Sequence, residues 1–584
     1  MKALQHLNKY LFKYRYQLLL GIIITVIGRI FSLVAPRLIG NSLTAVEQFL
    51  KKGEADADVL QKELLINILI IISTALGSGI FTFWMRQTII NVSRYIEFDL
   101  KNEIFWHYQQ LSQKFFKVNR TGDLMSRISE DVSKARMYVG PALMYSINTI
   151  ALFFIVISYM LSIAPTLTLY TIIPLPVLSI AIYKLSRVIN LRSTAVQELL
   201  SKMATVAQEN FSGISVIKSY SLEHNAQEQF KNQAEESYQK NMALVKVQAW
   251  FFPLMILLIG ISNLIVIFVG GNQYMQGKIA FGVLAEFIIY VNMLTWPVTV
   301  VGWVTSIVQQ AEASQDRINT FLKQSPNVVS GSLEKRNIEG DLTFNNVTFQ
   351  YPENGIKALD KVSFSLKSGE TLGILGKIGS GKSTLLELIP RLYDPNEGSI
   401  KLDGFNLKKF THNSLRNSIA YVPQNPFLFS ESIEKNIRFG NQNASFEQIQ
   451  EAAKNADVAK NIEGFKKGYQ TILGERGVTL SGGQIQRVSI ARAFVKKARI
   501  LLLDDCLSAV DTETEETILK NLENIAVDKT TLIVSNRISS IKNADKIIVL
   551  ENGKIIEQGN HVDLVNKQGY YRNLYEKQQT EKSI

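Results

Sequence analysis

The stretch "ETLGILGKIGSGKSTLLELIP", residues 370–390, decides the fold of the second half of the chain. A short apolar run leads into the glycine-rich loop "GKIGSGKS", Gly376 to Ser383, and an apolar helical pattern follows it. Strand, loop and helix in this order are the context in which the P-loop spacing binds phosphate. Glycines let backbone N–H groups close around phosphate oxygens, and the helix N-terminus adds positive potential. The stretch therefore predicts a nucleoside triphosphate site in an α/β domain.

Further residues complete this predicted site for ATP and Mg²⁺. Lys382 is placed to reach the terminal phosphates and Ser383 to hold Mg²⁺, while "ILLLD" ends a second apolar strand in a carboxylate for the metal. Tyr351, about 25 residues before the loop, offers a ring that can stack on adenine. Ser383, Gln424 and Asp504 are the predicted metal ligands. The predicted nucleotide-binding residues of this site are Tyr351, Gly376, Lys377, Ile378, Gly379, Ser380, Gly381, Lys382, Ser383, Thr384, Gln424 and Asp504.

The first half of the chain is predicted to be a membrane domain. Of all residues, 46% are hydrophobic and 20% charged, and the apolar excess is concentrated in residues 17–305. A membrane-spanning helix needs about 20 apolar residues, and an even number of spans puts both chain ends on one side. The two long loops between spans carry most of the internal Lys and Arg, which places them, both termini and the nucleotide-binding domain in the cytoplasm. The six predicted spans of this cell-membrane protein are 17–36, 64–84, 138–160, 165–183, 250–273 and 281–305.

The net charge of +12 and the pI near 9.3 are consistent with a lipid bilayer partner. Basic residues that flank apolar spans face anionic lipids, so we expect no nucleic-acid partner. Cys506 is the one cysteine, which excludes an intramolecular disulfide, and the five histidines show no metal-ligand spacing. Arg29 and Glu286 interrupt apolar runs. For Arg29 we favour a structural role, near a helix end, snorkelling to the interface or paired inside the bundle. For Glu286 the same role stays open beside a functional one, because a carboxylate lining a membrane cavity would attract cationic amphiphiles.

Proline and glycine in "SPNVVSGS" end the helical pattern that follows the sixth predicted span. The predicted domains are a transmembrane domain, 1–325, with two long cytoplasmic loops, a linker, 326–337, and a nucleotide-binding domain, 338–584. The second domain alternates short β-branched strands with helices, which indicates a mainly parallel sheet. The predicted fold class is an α-helical membrane domain of six spans followed by an α/β P-loop domain.

A second glycine motif, "LSGGQ", residues 480–484, precedes a helix and offers another anion-binding nest. With the P-loop and Asp504, it resembles the signature of the ATP-binding cassette family. The segments "RTGDLMSRISEDV" (120–132), "ENFSGISVIKSY" (209–220) and "GERG" (474–477) resemble the exporter branch of that family. The resemblance implies a dimer of half-transporters in which short coupling helices dock on the cassettes, those of the second loop on the partner's. It also implies that Ser481, Gly482, Gly483 and Gln484 bind the nucleotide held by the partner's P-loop.

Two positions depart from the family pattern. The residue after the Mg²⁺ carboxylate is usually Glu and a His follows about 30 residues later; here these positions hold Asp505 and Asn536. Asp is one methylene shorter than Glu, and a misplacement of about 1 Å can cost on the order of 10²-fold in rate. Asn keeps an amide donor but cannot carry positive charge. With Gln424, these residues form the predicted catalytic set of a slowly hydrolysing site.

The resemblance therefore favours one half of a heterodimeric bacterial multidrug exporter. We expect the partner to be a different half-transporter that carries Glu and His at these positions, and the substrate to be a small amphiphile. A homodimeric exporter of lipid or peptide is the first alternative. An ATP-gated pore or a regulatory membrane subunit is the second.

Overall fold

The computed structural model describes residues 2–52, 57–335, 337–474 and 480–582. The chain divides into two compact units, Met1–Tyr108 with Gly122–Gln324 and Gln109–Thr121 with Ser325–Ile584. Residues 109–121 thus group with the second unit, although they lie deep inside the apolar half of the sequence. The domain limits given above remain predictions.

Long helices dominate the first unit. Three short π-helical turns, Arg127–Asp131, Tyr138–Ala142 and Val266–Gly270, join helices into longer continuous stretches, and a 3₁₀ turn, Ala3–Leu7, precedes the first helix. The helices up to residue 322, of which α4 belongs to the second unit, are α1 Asn8–Lys13, α2 Arg15–Lys52, α3 Ala57–Gln110, α4 Gln113–Val118, α5 Thr121–Ser126, α6 Val132–Met137, α7 Leu143–Ile163, α8 Pro165–Ile172, α9 Pro174–Ser212, α10 Ile214–Ser219, α11 Glu223–Gln248, α12 Phe251–Ile265, α13 Gly271–Met275 and α14 Phe281–Leu322.

The predicted count of six spans is not confirmed. Among the described residues, five helical stretches are long and apolar enough to cross a membrane: Arg15–Lys51, Ala57–Gln110, Thr121–Ile163, Glu223–Met275 and Phe281–Leu322. The predicted span 165–183 falls instead on α8 and the start of α9, which meet at Ile173. Pro174 has no N–H to continue the hydrogen-bond ladder, and α8 alone, with 8 residues, rises only about 12 Å. The apolar stretch of α9 soon reaches Lys184.

Helices α2 and α14 approach each other closely at a pair of glycines. A Cβ atom on Gly282 would lie 1.7 Å from the carbonyl oxygen of Gly40. The backbone N–H of Gly282 donates to Thr44 Oγ1 at 3.1 Å, and that hydroxyl donates to Gly40 O at 3.1 Å. Small residues that admit such backbone contact are typical of packed helices in membranes, where polar groups need partners within the bundle. This crossing fixes the beginning of α14 against α2.

The two ionisable residues in apolar runs both have partners inside the first unit. Arg29 Nε donates to Asn148 Oδ1 at 2.5 Å. Glu286 is only 4% exposed and accepts a hydrogen bond of 2.8 Å from Tyr290 Oη. Tyr290 packs in a core cluster with Phe287 and neighbouring apolar residues of α7 and α14. Both side chains therefore contribute to packing of the helical bundle.

The second unit is built on two sheets. Strands β1 Leu342–Gln350, β2 Lys357–Leu366, β4 Glu397–Leu402 and β5 Phe405–Asn406 form an antiparallel sheet in the order β2-β1-β4-β5. The larger sheet, in the order β10-β9-β3-β8-β7-β6, contains β3 Thr371–Gly376, β6 Ile419–Val422, β7 Ile500–Asp504, β8 Thr530–Val534, β9 Lys546–Glu551 and β10 Lys554–Gly559. Together with α4, the helices of the second unit are α15 Lys382–Leu388, α16 His412–Asn417, α17 Ile433–Arg438, α18 Phe446–Asn455, α19 Ala459–Glu463, α20 Gly482–Phe494, α21 Thr512–Ile525, α22 His561–Asn566 and α23 Tyr570–Lys582.

The larger sheet explains the two apolar runs that the sequence singled out. Strands β3, β8 and β7 lie side by side and parallel, and all five residues of β7 are buried. Parallel strands covered on both faces are apolar throughout, whereas half-exposed strands alternate. The carboxyl ends of parallel strands share one edge of the sheet, where ligands bind in open α/β folds. The loops after β3, β6, β7 and β8 therefore converge there.

Candidate functional site

The glycine-rich loop connects β3 to α15, and its glycines are required by both conformation and space. Gly376, Gly379 and Gly381 have φ angles of 156°, 82° and 99°, a region where residues with a side chain are strained. A Cβ atom on Gly376 would lie 2.2 Å from the carbonyl oxygen of Leu550, and one on Gly381 2.2 Å from that of Ala358. The loop consequently curls tightly at the carboxyl edge of the sheet.

Lys382 lies inside this loop. Its ammonium group donates to the carbonyl oxygens of Gly376 at 2.6 Å and Lys377 at 2.9 Å. Burial lowers the pKa of Lys382, an effect that the nearby charges of two aspartates oppose. The buried hydroxyl of Ser380 has no hydrogen-bond partner among the described residues. A fixed ammonium, a free hydroxyl and a curled backbone form a donor set that fits a phosphate chain.

Ser383 and Asp504 form the part of the site suited to Mg²⁺. Ser383 Oγ donates to Asp504 Oδ1 at 3.0 Å. Neighbouring oxygens around an octahedral Mg²⁺, each about 2.0–2.1 Å from the metal, are about 2.9 Å apart, so the two side chains fit one coordination shell. Burial raises the pKa of Asp504 to about 6, with a smaller contribution from the neighbouring Asp505. A divalent cation would favour the ionised carboxylate.

Asp505 is held by two amide donors. Gln424 Nε2 and Asn536 Nδ2 both donate to its Oδ2, at 3.4 Å and 3.3 Å. The backbone of Asp505 has a φ of 46°, in the left-handed region that Asp tolerates better than most residues, and its N–H donates to Val534 O at 3.0 Å. Burial raises the pKa of Asp505, while the Lys382 charge and the bond from Gln424 oppose that rise. The two predicted departures from the family pattern are thus direct neighbours.

Tyr351 forms one wall of the site. Its hydroxyl shares a hydrogen bond of 2.9 Å with Thr384 Oγ1 and donates to Glu387 Oε2 at 3.2 Å. Burial raises the pKa of Tyr351 to about 12. Because both partners belong to α15, the ring is fixed beside the helix that begins at Lys382.

These side chains line one pocket of about 300 Å³. It gathers most of the predicted site and adds Asn354, Ile356, Ala358 and Val534. Within the described part of the chain, the predicted residues Ser481, Gly482, Gly483 and Gln484 are not part of its lining. The predicted residues that line the pocket are Tyr351, Ile378, Gly379, Ser380, Gly381, Lys382, Ser383, Thr384, Gln424, Asp504, Asp505 and Asn536.

Comparison with known proteins identifies both halves of the chain. Residues 18–298 match the family described as ABC transporter transmembrane region, and residues 359–508 match the family described as ABC transporter. The multidrug resistance-like ATP-binding protein MdlA of Escherichia coli (strain K12) is 35% identical over 590 residues, which cover 100% of this chain and 98% of that protein. The chain belongs to the ABC transporter family.

Other relatives share the full architecture. The probable multidrug resistance ABC transporter ATP-binding/permease protein YheI of Bacillus subtilis (strain 168) is 34% identical over 96% of this chain and 95% of its own length. An ATP-dependent lipid A-core flippase of Desulfotalea psychrophila is 34% identical over 92% of this chain and 94% of its own length. The solved structure of a bacterial Atm1-family ABC exporter with ATP bound has a TM-score of 0.79 and 25% identity, covering 97% and 99% of the two chains. This ABC transporter chain is therefore an exporter half-transporter, and its family implies ATP hydrolysis coupled to transport.

The signature motif of the exporter is well formed. Ser481 caps α20: its Oγ accepts from the N–H of Gln484 at 3.4 Å, and its own N–H donates to Gln484 Oε1 at 3.0 Å. A Cβ atom on Gly482 would meet nothing within 4 Å, whereas one on Gly483 would lie 2.8 Å from Ala509 O. The helix start is thus capped, with an open glycine beside it. Most of the predicted segment "GERG" lies outside the described residues.

One neighbour of the site was missed by sequence reasoning. Lys117 of α4 places its Nζ 5.0 Å from the ring centroids of both Tyr351 and Tyr393, and 3.8 Å from Glu387 Oε2. No sequence pattern identifies Lys117, because its position depends on residues 109–121 grouping with the second unit. The short helix found there lies just before the segment 120–132 that resembled a coupling helix.

An ion pair between the buried carboxylate of Glu515 and the exposed guanidinium of Arg537 supports the loop that carries Asn536. Glu515 is only 2% exposed and pairs with Arg537 Nη1 at 2.5 Å, while Ser540 Oγ also donates to it. Buried charges persist in proteins when they are paired and hydrogen-bonded. Arg537, the residue next to Asn536, is therefore anchored by Glu515 of α21. The helical pattern of α21 alone gave no sign that Glu515 faces inward.

Proposed function

We propose that this exporter chain is one half of a heterodimer with unequal ATP sites. It exports amphiphilic drugs or lipid-like compounds across the cytoplasmic membrane, with both termini and the nucleotide-binding domain in the cytoplasm. Its own P-loop site hydrolyses ATP slowly, while its signature completes the faster site of a partner that carries Glu and His. The names of two relatives, a multidrug resistance-like protein and a lipid A-core flippase, support this substrate class.

The observation that carries the proposal is the arrangement around Asp505. Its Oδ2 accepts two hydrogen bonds, from Gln424 and Asn536, at 3.4 Å and 3.3 Å. Both donors are neutral amides, so neither adds positive charge beside the terminal phosphate. The carboxylate is also one methylene shorter than the Glu typical of the family. A water held by Asp505 would therefore sit too far from the phosphorus for efficient attack.

Binding remains strong because the holding residues are all present. Lys382 reaches the terminal phosphates, and the ring of Tyr351 stacks on adenine. Ser383, Asp504 and Gln424 would hold Mg²⁺, which neutralises charge on the β- and γ-phosphates. The chain is thus built to retain ATP far better than to cleave it.

The signature explains why a half with a slow site is still needed. Ser481 and Gly482 lie outside the chain's own pocket, on a capped helix start that can present N–H groups to another phosphate. ATP that touches both halves favours their closed arrangement, because a ligand shifts an equilibrium only through different affinities for the two states. In the slow site ATP keeps the halves together, and hydrolysis in the partner's site resets the cycle.

Purification of the chain alone and with its candidate partner tests the proposal. The chain alone should bind Mg²⁺-ATP at saturation yet turn it over slowly, and addition of a partner carrying Glu and His should raise turnover strongly. In that complex, Lys382→Ala in this chain should leave much of the turnover, whereas the equivalent change in the partner should abolish it. Equal losses from the two changes would contradict unequal sites.

A homodimer is the second candidate, because the intact P-loop and the intact signature belong to one chain and two copies could complete two identical sites. In that case the chain alone, reconstituted in vesicles, would hydrolyse ATP briskly and move lipid or peptide without a second polypeptide.

A further inference from the structure

Helix α23 contacts both loops that flank the nucleotide pocket. Near its end, Gln578 Nε2 donates to the carbonyl oxygen of Asn536 at 2.9 Å, and Gln578 Oε1 accepts from the N–H of Ile538 at 2.9 Å. At its start, the ring of Tyr570 lies 5.6 Å from the Nζ of the P-loop residue Lys377. One helix therefore spans from the P-loop to the loop that carries Asn536.

The start of the helix is firmly anchored. Glu557 of β10 accepts hydrogen bonds from the N–H groups of Tyr570 and Tyr571, where a carboxylate also complements the helix dipole. Tyr571 is fully buried, and its hydroxyl bonds His561 Nδ1 at 2.7 Å. A helix fixed at its start presents Gln578 at a defined distance from the loop.

Gln578 holds the Asn536 loop by both ends of one amide group. The two backbone groups that it contacts lie on either side of Arg537, whose guanidinium is tied to the buried Glu515. Asn536 Nδ2 in turn donates to Asp505 Oδ2 at 3.3 Å. Two sets of contacts therefore determine the position of the Asn536 side chain at the pocket. One is the ion pair of Arg537 with Glu515, and the other is the pair of hydrogen bonds between Gln578 and the loop backbone.

We propose that Gln578 of α23 is a positioning residue that sets the Asn536 loop over the nucleotide pocket and thereby increases the preference for a nucleoside triphosphate over a diphosphate. The inference rests on the proposed function, which puts the terminal phosphate between Lys382 and Asn536. A diphosphate does not extend to Asn536, so displacement of this loop weakens triphosphate binding selectively. The hydrogen bonds of Gln578 do not involve the P-loop, so the P-loop contacts that both nucleotides share should be unchanged.

The test uses the full chain in lipid nanodiscs, with Mg²⁺-ATPγS and Mg²⁺-ADP as probes in competition against a fluorescent nucleotide. Gln578→Met removes both hydrogen bonds and should lower the ratio of ATPγS to ADP affinity three- to tenfold, roughly the effect of one or two lost hydrogen bonds. The Kd for ADP should stay within about twofold. Gln578→Glu keeps the acceptor for Ile538 N–H and loses the donor to Asn536 O, so its ratio should fall by less.

Gln579→Met is the matched control, because it makes the same change at the next, exposed position of α23. Its ratio should equal that of the unmodified chain. An unchanged ratio in Gln578→Met, or an equal loss of ADP affinity, overturns the inference; the second result would show a general structural role. Asn536→Ala distinguishes an error in the proposed position of the terminal phosphate from an error in the role of Gln578. If it leaves the ratio unchanged, the proposed position of the terminal phosphate is wrong; if it lowers the ratio while Gln578→Met does not, only the role of Gln578 fails.

Discussion

Replacement of Asp505 by Glu together with Asn536 by His should speed ATP hydrolysis at the site that we propose to be slow. The double variant lengthens the carboxylate by one methylene and restores a side chain that can carry positive charge near the terminal phosphate. The rest of the site, from the P-loop to Ser383 and Asp504, is left as it is.

The size of the gain follows from the geometry of Asp505. An improvement of about 1 Å in the placement of the attacking water corresponds to roughly 10²-fold in rate, or about 2.7 kcal/mol of activation free energy. Residue 505 has a φ of 46°, and a longer side chain than Asp costs about 1 kcal/mol in that left-handed region, which lowers the stability of the fold and leaves the activation barrier unchanged. The carboxylate change alone should therefore raise turnover by up to about 10²-fold. The imidazole of the second change adds to this figure.

The assay measures steady-state hydrolysis at saturating Mg²⁺-ATP by the purified chain in nanodiscs, without a second polypeptide. Asp505→Asn gives the floor without a carboxylate. Lys382→Ala in the double variant shows that the gained activity depends on the P-loop. The reasoning is refuted if the unmodified chain already hydrolyses ATP within twofold of the double variant while both bind nucleotide to the same extent.

Three further predictions concern other parts of the molecule. Lys117→Met should weaken ATP binding about two- to thirtyfold, because a cation over an aromatic ring contributes about 0.5–2 kcal/mol. Lys117→Arg should retain most of the affinity. Nucleotide titration checks both variants, and equal weakening by the two would contradict a cation–π contribution. Gly282→Ala should lower the thermal stability of the chain strongly, since its Cβ would lie 1.7 Å from a facing carbonyl oxygen, while Gly260→Ala, with nothing within 4 Å, serves as control in the same melting experiment. Asp403→Asn should lower the free energy of unfolding by about 1–3 kcal/mol at neutral pH. Burial alone would raise the pKa of Asp403, but a hydrogen bond from Lys335 and three backbone N–H donors hold that pKa below its ordinary value. A depressed pKa stabilises the fold only while the group is ionised. The difference from the unmodified chain should therefore begin to shrink as the pH falls below about 4, the unfolded value, and be lost as the pH passes through the lower pKa of the folded state. Melting curves against pH would show a constant difference if this is wrong.

The gathering of most candidate site residues around one pocket was largely predictable because these residues belong to local patterns. Strand β3 and helix α15 flank a loop whose backbone conformation requires glycine at three positions, so the local sequence is enough to predict this loop. Asp504 ends strand β7 and Gln424 follows strand β6, and parallel strands end at one edge of the sheet. The convergence of these groups therefore follows from the strand pattern without knowledge of tertiary packing.

Other features depend on packing between distant segments and were not predictable. Lys117 and Gln578 carry no motif, and each approaches the site only because α4 and α23 pack in the second unit. Glu515 lies in a helix with an ordinary surface composition and is nevertheless buried beneath the Asn536 loop. Tertiary contacts of this kind have no periodic signal in the sequence.

Under the proposed function, the two nucleotide-contacting surfaces are separate, which explains how one chain can combine an altered hydrolytic group with an intact signature. Asp505 and Asn536 line the same pocket as the P-loop, whereas Ser481 caps a helix whose first turn is outside that pocket. Substitution at the first surface changes how this chain treats its own nucleotide and leaves the capping box of α20 unaltered. In a dimer that shares its sites, each surface serves a different nucleotide, so the two can change independently. An unequal pair of ATP sites requires only that one partner changes its catalytic carboxylate and the other retains its own.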